Sequence, residues 1–380
     1  MHGKGRHVQV ITGEYEQWMT TRLPFVINKH LKVKHTRMAG RGPSRARKAA
    51  PPPFAFLRAT FYLWAVRVQE HIGDLLTHDV PRVMGIGDVH LENFGTWRDA
   101  EGRLVWGAND LDEATHIPYT NDLIRLATSA TLAALKIDPD RIADEITRGY
   151  RQALRTGPRP FVLAEHHRRI AKLALKPKTK PKKWWDEQLA EHEPLPRRHE
   201  QSVTDTVATL RASFADNRIP DLSVGTRQAG LGSLGRPRIV TIGEWHGSRV
   251  CREAKALLPS AWDWAHGHPD RAGHTSDLLA SPYRATDLYA RVVGDWSIRR
   301  LAPDSDKIDI TTIRALHQTR LLHAMGQELA NVHITNADPN VLLDHLPDNP
   351  RWLSKAAAIM ADVVRQDQKL YARTYRKGHD

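Results

Sequence analysis

The chain has 380 residues, 41% of them apolar, and a formal net charge of +13 from 56 Lys and Arg against 43 Asp and Glu. That is enough apolar material for a real core, in one large domain or two ordinary ones. One cysteine, Cys251, excludes an intrachain disulfide and fits a reducing, cytoplasmic setting. No apolar run reaches the ~18 residues of a membrane span, and no apolar segment follows the basic start, so neither a span nor a signal peptide is expected. The positive balance favours anionic partners.

In chain order, residues 1–53 read as a basic arm. Lys29 to Lys48 is rich in Lys, Arg and His, and Pro51-Pro52-Pro53 closes it. Residues 54–170 form the first ordered stretch. Phe54 to Leu76 carries Phe61, Trp64, Val68 and Ile72 at helical spacing. Pro81 to Ile86, Phe94 to Arg98 and Leu104 to Ala108 read as short strands, the last two joined by the turn Asp99 to Gly102. Asn121 to Leu135 is apolar on more than one face, which predicts a buried helix. Asp138-Pro139 starts another helix, with Asp138 as N-cap, and Gly157-Pro158 ends it. Residues 171–220 read as a basic linker and connecting helix, because Pro177 and Pro181 interrupt a Lys-rich tract. In residues 221–310, Asp221 to Arg227, Arg238 to Ile242 and Ser248 to Arg252 read as strands. In 311–380, Ile313 to Val332 and Leu353 to Tyr375 read as helices.

The chemistry concentrates in Gly87-Asp88-Val89-His90-Leu91-Glu92-Asn93 and in Asn109-Asp110-Leu111-Asp112-Glu113. Phosphoryl transfer from a nucleotide needs an oriented acceptor hydroxyl and metal ions that neutralise phosphate charge. Mg²⁺ takes oxygen ligands. On this pattern Asp88 orients the acceptor, Asn93 and Asp110 bind metal, and Asp112 and Glu113 are secondary candidates. His90 contacts phosphate or braces the loop. Each of these residues is also ordinary turn chemistry when taken singly. Asp122 reads as a helix N-terminal carboxylate that also anchors the loop through its backbone N–H groups.

A glycine-rich stretch, Gly230-Leu231-Gly232-Ser233-Leu234-Gly235, lies between two strand candidates. Its glycines would let backbone N–H groups approach phosphate, and Ser233 sits among them. No Gly-Lys-Ser/Thr follows, so it is not a Walker loop, and a strand rather than a helix comes next. A strand, glycine loop and strand is the form in which protein kinases cover ATP. The cation expected on the following strand is Arg252, with Lys255 nearby.

These segments, with Phe54 to Arg58, Asp122 to Ser129, Arg252-Glu253-Ala254 and Leu329 to His333, resemble a bacterial family named domain of unknown function 2252. The resemblance spans roughly residues 54 to 335, and Arg252 stands where that family usually has lysine. The carboxylate block also resembles aminoglycoside and choline kinase-like phosphotransferases. That resemblance implies an α+β, protein kinase-like fold with a helical catalytic lobe and a small antiparallel β lobe. It implies ATP and Mg²⁺ as cofactors, Asp88 as catalytic aspartate, Asn93 and Asp110 as metal ligands, and Asp122 as a structural aspartate. The glycine loop follows the catalytic loop here, which implies circular permutation, with helix Ile313 to Val332 leading back into the catalytic loop. Two rival readings stand beside it. A metallophosphoesterase-like hydrolase would use Asp88-Val89-His90 and His266-Gly267-His268. A pseudokinase or basic nucleic-acid binder would use the basic tracts for an anionic partner. The acceptor is not legible.

Overall fold

The computed structural model describes residues 7–377 apart from 24–51, 78, 164, 175–180, 215–218, 220–221, 228, 231–235 and 306. The first part runs through helices α1 (Val8–Thr20), α2 (Pro53–Ala59) and α3 (Phe61–Ile72), then strands β1 (Arg82–Gly85), β2 (Phe94–Arg98), β3 (Leu104–Ala108) and β4 (Thr115–Pro118). Helices α4 (Tyr119–Leu132) and α5 (Pro139–Thr156), strand β5 (Phe161–Val162) and helices α6 (Arg168–Ala174) and α7 (Pro181–Ala190) follow. Next come β6 (Glu193–Pro194), α8 (Arg197–Glu200), α9 (Thr204–Ala212), β7 (Ser223–Thr226), β8 (Arg238–Trp245) and β9 (Ser248–Ala256). The chain ends with α10 (Ala261–Ala265), α11 (Thr275–Leu279), β10 (Arg291–Val293), β11 (Trp296–Leu301), α12 (Ala315–His333), α13 (Pro339–His345) and α14 (Arg351–Lys377).

This is a mixed α+β architecture, and every strand pair among the described residues is antiparallel. Helices α3, α4, α5, α12 and α14 share the largest core. Residues 119–130 of α4 are buried on all sides, as the sequence predicts. Asp138 caps α5 by accepting from Arg141 N at 2.8 Å, Pro139 opens it, and Gly157 at φ +84° ends it. Gly149 of α5 and Gly326 of α12 let these helices touch backbone to backbone: a Cβ on Gly149 would collide with the His323 carbonyl, and one on Gly326 with that of Ile146.

Three expectations need correction. The run Phe54 to Leu76 is not one helix. It breaks at Thr60, whose hydroxyl bonds back to the Phe56 carbonyl at 2.6 Å and whose φ of −133° leaves the helical region. The N-terminal residues are not only a basic arm, because α1 buries Val8, Ile11, Tyr15 and Met19 in the main core. The tract Lys29 to Lys48 lies outside the described residues. Pro181 does not interrupt a helix but stands at the first position of α7, where its missing N–H costs nothing.

Six strands form the second region in the order β10-β11-β9-β8-β7-β6. The alternation of β9 sorts its residues onto two faces. Ala254 and Ala256 pack with Ile239, Ile298 and Leu210 of α9 on one face. Glu253 and Lys255 point from the other face toward the helical region. Strand β9 runs on past Arg252, and on that face Glu253 meets Arg238 and Lys255 meets Asp110.

Candidate active site

Strands β1 and β4 pair in register Gly85↔Thr115. This brings the start of the Asp88 loop beside Glu113. Gly87 makes the approach possible: its φ is +75°, and a Cβ there would lie 2.6 Å from the Glu113 carbonyl oxygen. Asp122 fixes the loop from below. Its carboxylate accepts from Ile86 N at 2.7 Å and Gly87 N at 3.1 Å, and meets His333 Nε2 at 3.2 Å. The β2–β3 hairpin then returns the chain in register Phe94↔Ala108, with Asn109 N donating to Asn93 O at 2.9 Å.

A small cleft of about 30 Å³ results, lined by Asp88, Asn93, Asp110, Asp112, Glu113 and Lys255, with Tyr15, Phe61, Tyr62 and Arg236 closing it. Asn93 spends its amide N–H groups on the Asp88 carbonyl (2.7 Å) and, more weakly, on the Asp110 carbonyl (3.4 Å). Its Oδ1 remains an oxygen donor for the cleft it lines. Lys255 reaches across from β9 to Asp110 Oδ1 at 3.2 Å and to Asp112. Burial alone would raise the Asp110 pKa, but Lys255, Arg299, Lys307 and Arg238 together hold it well below the carboxylate range.

Asp88 has the opposite balance. Burial pushes its pKa up to about 6, Arg125 opposes the shift, and the charges of Glu113 and Asp110 add to it. Arg125 grips the Asp88 carboxylate, donates to Leu57 O at 3.0 Å, and lies 4.8 and 5.0 Å from the ring centroids of Phe61 and Trp64. The sequence reading missed Arg125. Its signal was a lone guanidinium in a helix that reads as buried on more than one face.

The structure does not bring every candidate to the cleft. His90 is buried and its Nδ1 accepts from Glu92 N at 3.1 Å, so its side chain braces the loop and does not line the cleft. Burial holds its pKa well below the ordinary value. Arg252 points from the sheet face opposite Lys255, between the rings of Phe214 (4.6 Å) and Tyr289 (4.1 Å). Residues three apart on a strand cannot share a face. The cation at the carboxylates is therefore Lys255 and not Arg252. Gly232, Ser233 and Gly235 lie outside the described residues. Gly230 has φ +72°, and Arg236, just after the stretch, bonds Glu113 at 2.6 Å and Tyr15 Oη at 3.3 Å. Glu113 also accepts from Ala261 N at 2.7 Å, so it joins Arg236 to the N-terminus of α10.

The donor set suits Mg²⁺. Asp110 and the Asn93 amide oxygen are hard ligands, and Mg²⁺ is usually held by one or two carboxylates plus phosphate and water oxygens. Among the described residues no group of three or more His, Cys, Asp and Glu side chains is placed to hold a metal. His266 stacks on Trp262 at 4.1 Å and bonds its carbonyl, and neither it nor His268 lines the cleft with Asp88.

The family model described as an uncharacterized protein conserved in bacteria, domain of unknown function 2252, matches residues 37–294. The chain belongs to that family. The match covers both carboxylate motifs, the glycine-rich stretch and Lys255, and it ends before α12. No curated protein and no solved structure matches the chain. No helix of the described residues is long and apolar enough to cross a membrane.

Proposed function

We propose that this member of the family is a Mg²⁺- and ATP-dependent phosphotransferase acting on a hydroxyl-bearing acceptor, with a circularly permuted kinase-like fold. One observation carries the reading: Asp88, Asn93 and Asp110 of the helical region share a cleft with Lys255 of the six-stranded sheet. In a kinase-like site the lysine sits on the third strand of the sheet, the second after the glycine loop. Lys255 is on β9, after β7, the glycine-rich stretch and β8.

Permutation has its own support. The segment after α12 lies against β1, with Asn336 Oδ1 accepting from Met84 N at 2.7 Å. Glu328 of α12 accepts from Ala108 N at 3.1 Å and His333 meets Asp122. A helix more than two hundred residues downstream thus abuts the carboxylate loop where a preceding helix would stand.

Bound Mg²⁺ would neutralise phosphate charge between Asn93 and Asp110. Asp88 accepts the hydroxyl proton as the acceptor oxygen bonds to the terminal phosphorus and the anhydride bond breaks. A base with a pKa of about 6 is largely ionised at neutral pH and still basic enough to take that proton. With metal held at Asp110, the Lys255 ammonium would supply its charge to the phosphates. Arg236 closes the cleft above.

Thermal shift with ATP, with and without Mg²⁺, tests the reading. Wild type is expected to be stabilised by the pair, and Asp110→Ala to lose the Mg²⁺-dependent part at an unchanged melting temperature without ligand. An Asp110→Ala variant with full Mg²⁺-dependent stabilisation would overturn the metal assignment.

A further inference from the structure

Behind the Asp88 loop lies a chain of buried polar groups that the proposed reaction does not use. One stripe of α4 carries Asp122, Arg125 and Ser129, whose helical spacing puts them on a shared face. Each holds the loop. Asp122 accepts from Ile86 N and Gly87 N, Arg125 grips the Asp88 carboxylate, and Ser129 Oγ accepts from Leu91 N at 3.2 Å. Asp122 is backed in turn by α12 and α5. His333 Nε2 of α12 lies 3.2 Å from Asp122 Oδ2, and His333 Nδ1 lies 2.8 Å from Tyr150 Oη of α5. Asp122, His333 and Tyr150 are all fully buried.

Donors and acceptors match in this chain in one direction only. The Asp122 carboxylate meets Ile86 N, Gly87 N, Asn121 Nδ2 at 3.4 Å and His333 Nε2. A carboxylate only accepts, so Nε2 carries a hydrogen and donates like the others. Tyr150 Oη has His333 Nδ1 as its one hydrogen-bond partner among the described residues. A hydrogen on Nδ1 would leave the phenol proton buried with no acceptor. Burial holds the Tyr150 phenol well above its usual pKa, so it keeps that proton to give. The order is therefore Tyr150 O–H to Nδ1, and Nε2–H to Asp122.

We propose that Tyr150 and His333 are positioning residues of the candidate active site: the Tyr150 hydroxyl holds His333 in the tautomer that donates from Nε2, and that donation fixes Asp122, which sets the Asp88 end of the loop. The inference rests on the phosphotransferase reading only for what the loop does. Tyr150 acts through His333, and His333 acts through Asp122. The three side chains come from α5, α12 and α4, so the loop is tied at one point to three helices of the core.

Hydrogen exchange of the full chain, followed over residues 83–91 with β8 as internal reference, tests this. Tyr150→Phe keeps the ring that stacks on Tyr119 at 5.9 Å and removes only the hydroxyl. It is expected to speed exchange at Ile86 and Gly87 about tenfold, the scale of one hydrogen bond lost, and to leave β8 unchanged. His333→Ala is expected to do at least as much, and adding Tyr150→Phe to it to change nothing further. His333→Gln, which keeps an N–H for Asp122, should restore most of the protection. Tyr150→Phe is the milder variant and carries the test if His333→Ala does not fold. Nitrogen-15 NMR of the histidine rings, with His333→Gln identifying the signal, should show the hydrogen on Nε2 in wild type and a mixture of tautomers in Tyr150→Phe. In an assay of Mg²⁺-dependent ATP turnover, Tyr150→Phe should lower kcat about tenfold and leave KM for ATP unchanged, because Asn93 is held by the β2–β3 hairpin and not by Asp122. Loop exchange in Tyr150→Phe equal to wild type would overturn the proposal, as would exchange in β8 faster by the same factor, or a wild-type hydrogen on Nδ1. The exchange and NMR readouts need no phosphoryl transfer. An ordered chain without turnover would remove the phosphotransferase reading and leave the positioning role, and turnover with a loop indifferent to Tyr150→Phe would do the reverse.

Discussion

Two carboxylates, Glu253 buried and Asp88 half-buried, are each held by arginine and end in opposite states. Glu253 on the sheet meets Arg238 at 2.6 Å, Arg299 at 2.6 Å and Arg227 at 3.0 Å. Burial would raise its pKa, but the three guanidinium groups drive it far below the usual value. Asp88 in the cleft has one arginine and two carboxylate neighbours, and it rises to about 6. Desolvation pushes both upward. The count and sign of the neighbours decide which carboxylate is a fixed charge and which is poised to exchange a proton.

The largest effect is expected from breaking the fixed one. Glu253→Ala leaves three cations on one sheet face without their shared anion. Removing one partner of a buried ion cluster costs on the order of 3–5 kcal/mol. The melting temperature should fall by many degrees in a thermal melt without ligand. A variant that melts like wild type would show that water reaches these arginines and that Glu253 is not what compensates them.

The pH dependence sharpens the contrast, because the two groups contribute with opposite sign. Glu253 has a depressed folded pKa, so its stabilisation is present above its unfolded value of roughly 4.3 and is lost as pH falls below it. Asp88 has a raised folded pKa, so the folded state binds more protons than the unfolded chain between roughly pH 4 and 6. In that window its contribution falls as pH rises, by up to roughly 1.4 kcal/mol per pH unit. Asp88→Asn should remove that slope in denaturant titrations at several pH values. In the same variant phosphoryl transfer should drop by about 10²-fold or more. The wild-type rate should fall about tenfold per pH unit below pH 6 as Asp88 takes up its proton. A flat rate between pH 5 and 7 would exclude Asp88 as the base.

Much of the helical region was legible because its signals are local. Asp138, Pro139 and Gly157 mark α5 in the sequence, and the β2–β3 hairpin follows from its turn residues and its alternation. The grouping of Asp88, Asn93 and Asp110 was legible for the same reason, since one hairpin joins them. Other features depend on contacts between residues far apart in the chain. Arg236 reaches Glu113 across more than a hundred residues, and Tyr15 enters the cleft from a segment that looked like a basic arm. Strand β4 was missed because Thr115, His116, Ile117 and Pro118 have no clear apolar alternation. The excess of arginine around Glu253 becomes visible only once β8, β9 and β11 are in register.

The smallest expected effect is that of Arg252→Lys, set against Lys255→Ala three residues along the strand. Sequence position alone favours Arg252 as the phosphate cation, by its place in Arg-Glu-Ala. Strand geometry turns it to the far face, where its guanidinium lies 4.1 Å from the Tyr289 ring and donates to the Cys251 carbonyl at 3.0 Å. Lys255→Ala should abolish most nucleotide-dependent stabilisation, because it removes the positive charge opposite Asp110. Arg252→Lys keeps the charge and loses the flat stacking surface, which is worth roughly 0.5–2 kcal/mol at a partly desolvated site. It should therefore lower the melting temperature by a few degrees and leave ATP binding by calorimetry within about twofold of wild type. If the two substitutions were interchangeable, with Arg252→Lys costing as much ligand affinity as Lys255→Ala, the two faces of β9 would have to communicate through the strand. The one-sided cleft would then no longer account for the proposed phosphate contact.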